Sequence, residues 1–234
     1  MLTLVLLPGM DGTGKLFAGL AAALGAGVDT LVIAYPPTTA LDYPALVQWV
    51  RARLPADRDF VLLAESFSGP LAIAIGAAPP PRLRAVVLCC TFARSPAPRL
   101  AQLARLFAPA ASTRPACLLA APMLLGRFAS LALCGQLWQA LRGVSVAVLR
   151  ARLGAVATVD ATAALASVTL PLLVIQAMQD RVVMAGATQL LMQTCPGATL
   201  LQVDGPHLLL QARPRHMAAA LAPWLRAGGD PPVS

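Results

Sequence analysis

The sequence predicts an α/β fold: a mostly parallel six-stranded sheet flanked by helices and interrupted by one helical insertion. Short apolar runs alternate with longer amphipathic ones, the pattern of a parallel sheet covered by helices. The 234 residues are 58% hydrophobic and only 12% charged, ample material for the core of a single domain. From Arg94 to Val156 the alternation stops and no strand pattern appears.

In chain order, Leu2–Leu7 is the first apolar run and leads into the glycine-rich loop "LPGMDGTG". A helix is expected over Leu16–Leu24, a strand over Thr30–Tyr35 and a helix over Tyr43–Leu54. Phe60–Ala64 is the third strand, Pro70–Ala77 the helix after it and Ala85–Cys89 the fourth strand. The stretches "PRLAQLARLFAP" and "FASLALCGQLWQALR", set apart by proline and glycine, then read as helices of an insertion. Such an insertion is expected to cap the carboxyl edge of the sheet, where sheets of this kind bind ligands. Pro171–Gln176 and Thr199–Val203 complete the strands, with helices over Ala187–Thr194 and Arg215–Arg226. The predicted organisation is a core of residues 1–93 and 157–234, a helical lid of residues 94–156 and a frayed tail, "GGDPPVS".

Composition excludes several classes. No stretch reaches the roughly 18 uninterrupted apolar residues of a spanning helix; "ACLLAAPMLLG" is broken by Pro122 and closed by Arg127. "MLTLVLLPGM" has no basic segment before its apolar run, so no secretory signal and a cytoplasmic location are expected. Five cysteines (89, 90, 117, 134 and 195) and two histidines show no metal-ligand spacing and no disulfide framework, which predicts buried thiols and no metal. The net charge of +8 is unevenly placed: no acidic residue lies between Glu65 and Asp160, yet arginines stand at 82, 84, 94, 99, 105, 114, 127, 142, 150 and 152. The stretch lacks interleaved aromatics, which argues against nucleic acid. It reads either as solvated helix faces or as attraction for an anionic partner.

The stretch "FVLLAESFSGPLAIAIG" places two serines where a strand pattern gives way to a helix. A nucleophile elbow, G-x-S-x-G, needs small residues two positions either side of its strained serine. Around Ser66 these are Ala64 and Ser68, and Pro70 opens the helix where its missing N–H is no loss. Around Ser68 the second would be Pro70. Ser66 is the candidate nucleophile.

Serine needs a base to attack at neutral pH. His207, in "VDGPHLLLQ", lies just past the last strand, whereas His216 follows "RPR" on the final helix and reads as a surface residue. His207 is the candidate base. Asp180 ends "PLLVIQAMQD" at a strand's carboxyl end and is the candidate acid that holds the imidazole. Asp160 reads as a helix N-cap and Asp230 lies in the tail; the rival, Asp204, is close to His207 and reads as a brace for its loop. An oxyanion hole needs two backbone donors. Phe67 N–H, at the head of the helix, is one; Met10 N–H, in the loop after the first strand, is the expected second. That loop lacks G-x-G-x-x-G, and its lone Lys15 completes no P-loop.

Together "LPGMDGTG", "LLAESFSGP", "MQDRVV" and "DGPHLLLQARP" resemble the small bacterial esterases of the α/β-hydrolase superfamily, the group that includes pimeloyl-ACP methyl ester esterase. The resemblance spans nearly the whole chain, and Ser66, Asp180, His207 is the superfamily's chain order. It implies a mostly parallel sheet with a helical lid, and a Ser-His-Asp acyl-enzyme mechanism without a cofactor. Two positions depart from the pattern: Pro8 stands where many members have histidine, and Ala64 replaces the first elbow glycine. The two leading strands of larger members are expected to be missing.

The expected function is a serine carboxylesterase acting on uncharged short- to medium-chain esters. The alternative is a thioesterase or methyl-ester esterase acting on acyl groups carried by acyl carrier protein or coenzyme A, which the arginine-bearing lid favours. A non-catalytic binding protein is disfavoured because every chemical role has a suitable residue. Leu103, Phe107, Leu124, Phe128 and Trp138 are expected to offer the lid's acyl-selecting surface, with Arg99, Arg105, Arg114 and Arg127 around its mouth.

Overall fold

The structure, a computed structural model, describes residues 2–111 and 113–227; the tail expected to fray lies outside the described residues. Six strands form one all-parallel sheet: β1 Thr3–Leu7, β2 Asp29–Val32, β3 Phe60–Glu65, β4 Leu83–Cys89, β5 Leu172–Ala177 and β6 Thr199–Val203, in the order β2-β1-β3-β4-β5-β6. Between β1 and β4 run α1 Ala18–Leu24, α2 Tyr43–Arg51 and α3 Gly69–Ala77. The connection from β4 to β5 carries α4 Pro98–Ala104, α5 Ala108–Ala111, α6 Arg114–Leu124, α7 Leu131–Leu141, α8 Val146–Thr158 and α9 Thr162–Ala166. Helix α10 Ala185–Thr194 joins β5 to β6, and α11 Leu209–Ala212 and α12 Pro214–Arg226 follow.

Successive residues of a strand point to opposite faces, so each central strand feeds two cores. Val5, Leu7, Phe60, Leu62, Val86 and Leu88 pack with Leu46 and Val50 of α2 and Leu71 and Ile75 of α3. Their neighbours Leu4, Leu6, Val61, Leu63, Ala85 and Val87 pack with Leu20 of α1 and Met217, Leu221 and Trp224 of α12. Burial on both faces is why these strands read as continuous apolar runs. Because β1 has β2 on one side and β3 on the other, the connections leaving β1 and β3 diverge. Their carboxyl ends open the crevice where such sheets take ligands. Leu7 pairs with Ala64, which sets the loop after β1 beside Ser66.

Several boundaries differ from the sequence expectation for local reasons. Past Val32 the chain peels away from the sheet: Ile33 N–H still bonds Leu6 C=O, but Tyr35 N–H bonds Gly12 C=O at 2.7 Å. Asp42 caps α2 by accepting from Ala45 N–H, and the helix ends early because Arg53 N–H reaches only three residues back, to Val50 C=O. Helix α6 runs on through Pro122 to Leu124 instead of breaking there. Asp160 sits one residue before the N-cap of α9, accepting from the N–H and hydroxyl of Thr162.

The insertion closes on a backbone neck: Ser95 N–H bonds Val159 C=O and Ala161 N–H bonds Ala93 C=O, with an antiparallel bridge between Arg94 and Asp160. The segment therefore returns to the sheet at residues 159–161. The expected limit at residue 156 falls inside α8.

Where α3 starts, its backbone lies close to the end of β4. A Cβ at Gly69 would sit 2.0 Å from Thr91 Oγ1. Gly69→Ala is expected to lower unfolding stability by about 1–3 kcal/mol through overpacking. Urea denaturation measures this, and an unchanged midpoint would mean that Thr91 moves aside freely.

Candidate active site

Ser66 leaves β3 with φ of 52°, a left-handed conformation that non-glycine residues rarely adopt. Its neighbours make that turn tolerable. Thr91 donates its hydroxyl to Ser66 C=O, and Tyr43 O–H bonds Phe67 C=O at 3.0 Å. The turn aims Ser66 Oγ at His207 Nε2, 2.9 Å away. Ser68, by contrast, is fully buried; it donates to Pro8 C=O and accepts from Tyr35 O–H. The two serines have opposite surroundings, and only Ser66 meets a base.

His207 follows β6 and is 4% exposed. Its Nδ1 lies 2.8 Å from Asp180 Oδ2, while Asp180 Oδ1 accepts from the N–H groups of Val182 and Val183, both at 2.8 Å. The loops after β5 and β6 are joined by backbone bonds from Met178 N–H to Val203 C=O and Gln179 N–H to Gly205 C=O. The segments that carry Asp180 and His207 are thus tied together by backbone bonds. Asp204 binds Gln179, Arg127 and Arg213 instead of the imidazole, and His216 is exposed on α12.

The loop after β1 reaches the serine, since a Cβ at Gly9 would lie 3.8 Å from Ser66 Cβ. Met10 is on this loop. Phe67 N–H is in the first helical turn after the serine, where N–H groups have no intrahelical acceptor. Both expected oxyanion donors thus flank Ser66. The insertion borders the same site. Leu124 and Trp138 pack with Leu16, next to the loop, and with Leu208, next to His207; Leu208 N–H also bonds Leu124 C=O. Phe128 is half-buried, Leu103 faces solvent, and the Phe107 side chain lies outside the described residues.

The profile of the Hydrolase_4 family, described as serine aminopeptidase, S33, matches residues 38–205, well over half of the chain. The chain belongs to this α/β-hydrolase family. A search of curated protein sequences finds no match. Among solved structures it is similar to an enol-lactonase from Burkholderia xenovorans, with a TM-score of 0.81 and 17% identity over 95% of this chain and 90% of that one. It is likewise similar to a hydrolase from Pseudomonas aeruginosa, with a TM-score of 0.81 and 20% identity over 96% and 89%. A thermophilic esterase from Thermogutta terrifontis gives a TM-score of 0.79 and 19% identity over 98% and 90%. At these identities the likeness is one of fold. No described helix of the hydrolase is long and apolar enough to cross a membrane.

Two buried features beneath the site were not singled out in the sequence. Glu65, the only glutamate in the chain, is 2% exposed; its Oε2 accepts from Gln211 Nε2 at 3.2 Å and its Oε1 has no partner among the described residues. Arg152 is also 2% exposed, although its type and its place in the acid-free stretch read as a solvated or partner-binding charge. The signal for Arg152 was present: it shares the buried side of α8 with Val148, Leu149 and Val156. Burial raises the Asp11 carboxyl against the pull of Thr13 and Arg152, and lowers Arg152 against the pull of Asp11.

Burial pushes Glu65 from 4.5 up to about 7, with the Gln211 hydrogen bond and the His207 charge acting the other way. The folded protein therefore holds this proton more tightly than the unfolded chain. The contribution of Glu65 to stability is full below pH 4.5 and is lost as pH rises to about 7. Glu65→Gln removes that titration, so its stability relative to wild type should grow across this window by on the order of 3 kcal/mol. Asp11, also raised, keeps some slope in both proteins. Urea unfolding at a series of pH values reads the difference; a constant gap would show that Glu65 binds its proton no more tightly in the folded protein than in the unfolded chain.

Proposed function

We propose that this hydrolase is a serine carboxylesterase that cleaves uncharged short- to medium-chain esters through an acyl-enzyme. One observation carries the reading: the unbroken path from Ser66 Oγ through His207 to Asp180, with steps of 2.9 and 2.8 Å. Ser66 Oγ attacks the ester carbonyl carbon while His207 Nε2 takes its proton and Asp180 steadies the imidazolium. The carbonyl π electrons move to oxygen, where the N–H groups of Met10 and Phe67 meet the developing charge. Collapse of the adduct expels the alkoxide, which takes the proton from His207. Water then enters by the same steps and releases the acid.

The apolar side chains of Leu124, Trp138 and Leu208 beside the site suit an acyl chain. Amine recognition, suggested by the family's description, would want a free carboxylate near the serine. Asp11 and Glu65 are buried, Asp180 holds His207, and Asp204 is paired with Arg127. An uncharged ester fits this electrostatic setting better than a peptide N-terminus.

A fluorophosphonate probe and a panel of p-nitrophenyl esters from acetyl to dodecanoyl, run beside aminoacyl p-nitroanilides, test the proposal. Ser66→Ala and His207→Ala should lower kcat by roughly 10⁴-fold or more, and Asp180→Asn by about 10⁴-fold. His216→Ala should keep wild-type turnover. Full activity in Asp180→Asn with an inactive Asp204→Asn would move the acid to Asp204.

The carrier-linked alternative retains one specific support, the arginines of an acid-free insertion. Arg99, Arg105 and Arg114 are exposed and could steer an anionic carrier to the site. Steering is an on-rate effect and weakens with screening. If it operates, kcat/KM for an acyl carrier protein ester falls steeply with ionic strength while that of a neutral p-nitrophenyl ester stays flat. Two flat responses would leave the insertion's arginines as solubilising charges.

A further inference from the structure

Among the described residues, the hydrogen bonds of the buried Arg152 guanidinium go to backbone carbonyls. Its Nη1 donates to Met10 C=O at 2.9 Å and to Asp11 C=O at 2.7 Å, and its Nη2 donates to Pro36 C=O at 3.3 Å. It also lies beside the rings of Tyr35 and Phe67, 5.6 and 6.0 Å from their centroids. A Cβ at Gly12 would stand 2.5 Å from its nitrogens, so the loop wraps the guanidinium closely. The nearby carboxylate of Asp11 is engaged with the N–H and hydroxyl of Thr13.

Five consecutive carbonyls of this loop are held. Pro8 C=O accepts from Ser68, Gly9 C=O from Gly12 N–H, Met10 and Asp11 C=O from Arg152, and Gly12 C=O from Tyr35 N–H. In a trans peptide the C=O of one residue and the N–H of the next are coplanar and point in opposite directions, so fixing a carbonyl fixes the amide that follows it. We propose that Arg152 is a positioning residue for the oxyanion hole: by holding Asp11 C=O it sets the Gly12 N–H of the same peptide, which bonds Gly9 C=O at 3.0 Å. Gly9 C=O shares its peptide plane with Met10 N–H and so keeps that N–H turned toward the oxygen that becomes negative when Ser66 attacks.

This rests on the esterase reading of the site. Burying a guanidinium against neutral carbonyls is a costly way to stabilise a fold, since an apolar side chain would avoid the desolvation. A planar fork is, however, the group that can reach several carbonyls at fixed angles. Arg152 belongs to the insertion while the loop belongs to the sheet, so the contact also ties the oxyanion donor to the docked position of α8. A loop free to turn would have to reorganise at the moment of attack, and preorganised donors avoid that reorganisation.

The test uses the full chain with Arg152→Lys and Arg152→Gln. Active serines are titrated with a fluorophosphonate, so that turnover is counted per competent site. The expected result is a fall in kcat per titrated serine of roughly 10- to 100-fold with KM within about twofold, because the interaction acts on the developing oxyanion rather than on bound ester. Affinity for a trifluoromethyl ketone, which forms a tetrahedral oxyanion on the serine, should fall by the same factor, while affinity for the product acid holds. Lysine, a point donor, should not restore what the fork supplied.

A merely structural arginine would instead lower the melting temperature and the titratable fraction and leave turnover per labelled serine unchanged. That result overturns the proposal. If the lysine variant does not fold, the uncharged glutamine variant carries the measurement; failure of both to fold assigns Arg152 to folding and overturns it as well. The esterase reading is judged first and separately, on wild-type protein, by labelling at Ser66 and ester turnover.

Discussion

Ser66 can occupy a φ of 52° only while its neighbours leave room and its carbonyl has a partner. Such a conformation costs on the order of 1–3 kcal/mol, and it persists only where the surroundings over-determine it. Here the small residues Ala64 and Ser68 clear the space, Thr91 holds the Ser66 carbonyl, and Gly69 lets α3 start against the end of β4. The second non-glycine residue at positive φ is Cys90, immediately before Thr91. Both described departures from ordinary backbone among the non-glycine residues thus stand at the ends of β3 and β4, on either side of one hydrogen bond.

The same turn organises the loop after β1 through Ser68. A serine two residues past Ser66 keeps the turn free of bulk and uses its hydroxyl to pin Pro8 C=O. Tyr35, leaving the sheet past β2, adds its side-chain hydroxyl to Ser68 and its backbone N–H to Gly12 C=O. The early end of β2 is therefore not a fraying edge. The residues that would have extended the strand brace the loop opposite Ser66.

The insertion is both boundary and support. Its two ends meet in a backbone neck, Leu124 and Trp138 pack beside the candidate base, and Arg152 grips the loop after β1. Its arginines consequently play different parts. Arg127 pairs with Asp204 near His207, Arg142 and Arg114 lie against Trp138, and Arg99 extends into solvent. Net charge alone would have treated them as one population.

The sequence by itself determined the centre of the sheet, because β1, β3, β4 and β5, buried on both faces, are apolar almost throughout and announce themselves as short continuous runs. It also determined which serine, histidine and aspartate could meet: of the two serines at the strand-to-helix turn small residues flank only Ser66, and His207 and Asp180 follow strand patterns on the ligand-binding edge. Helix ends were less legible, since the stops at Arg51 and Thr158 depend on a tightened last turn and on the neck at residues 159–161. Only the tertiary structure decided the fate of the polar groups that left the surface. Arg152 and Glu65 carry residue types that ordinarily face water; the apolar neighbours of Arg152 on α8 hint at its burial, but nothing local says what its charge would meet. Their burial follows from where α8 and β3 come to rest against the loop after β1, a long-range fact that no short window of sequence contains.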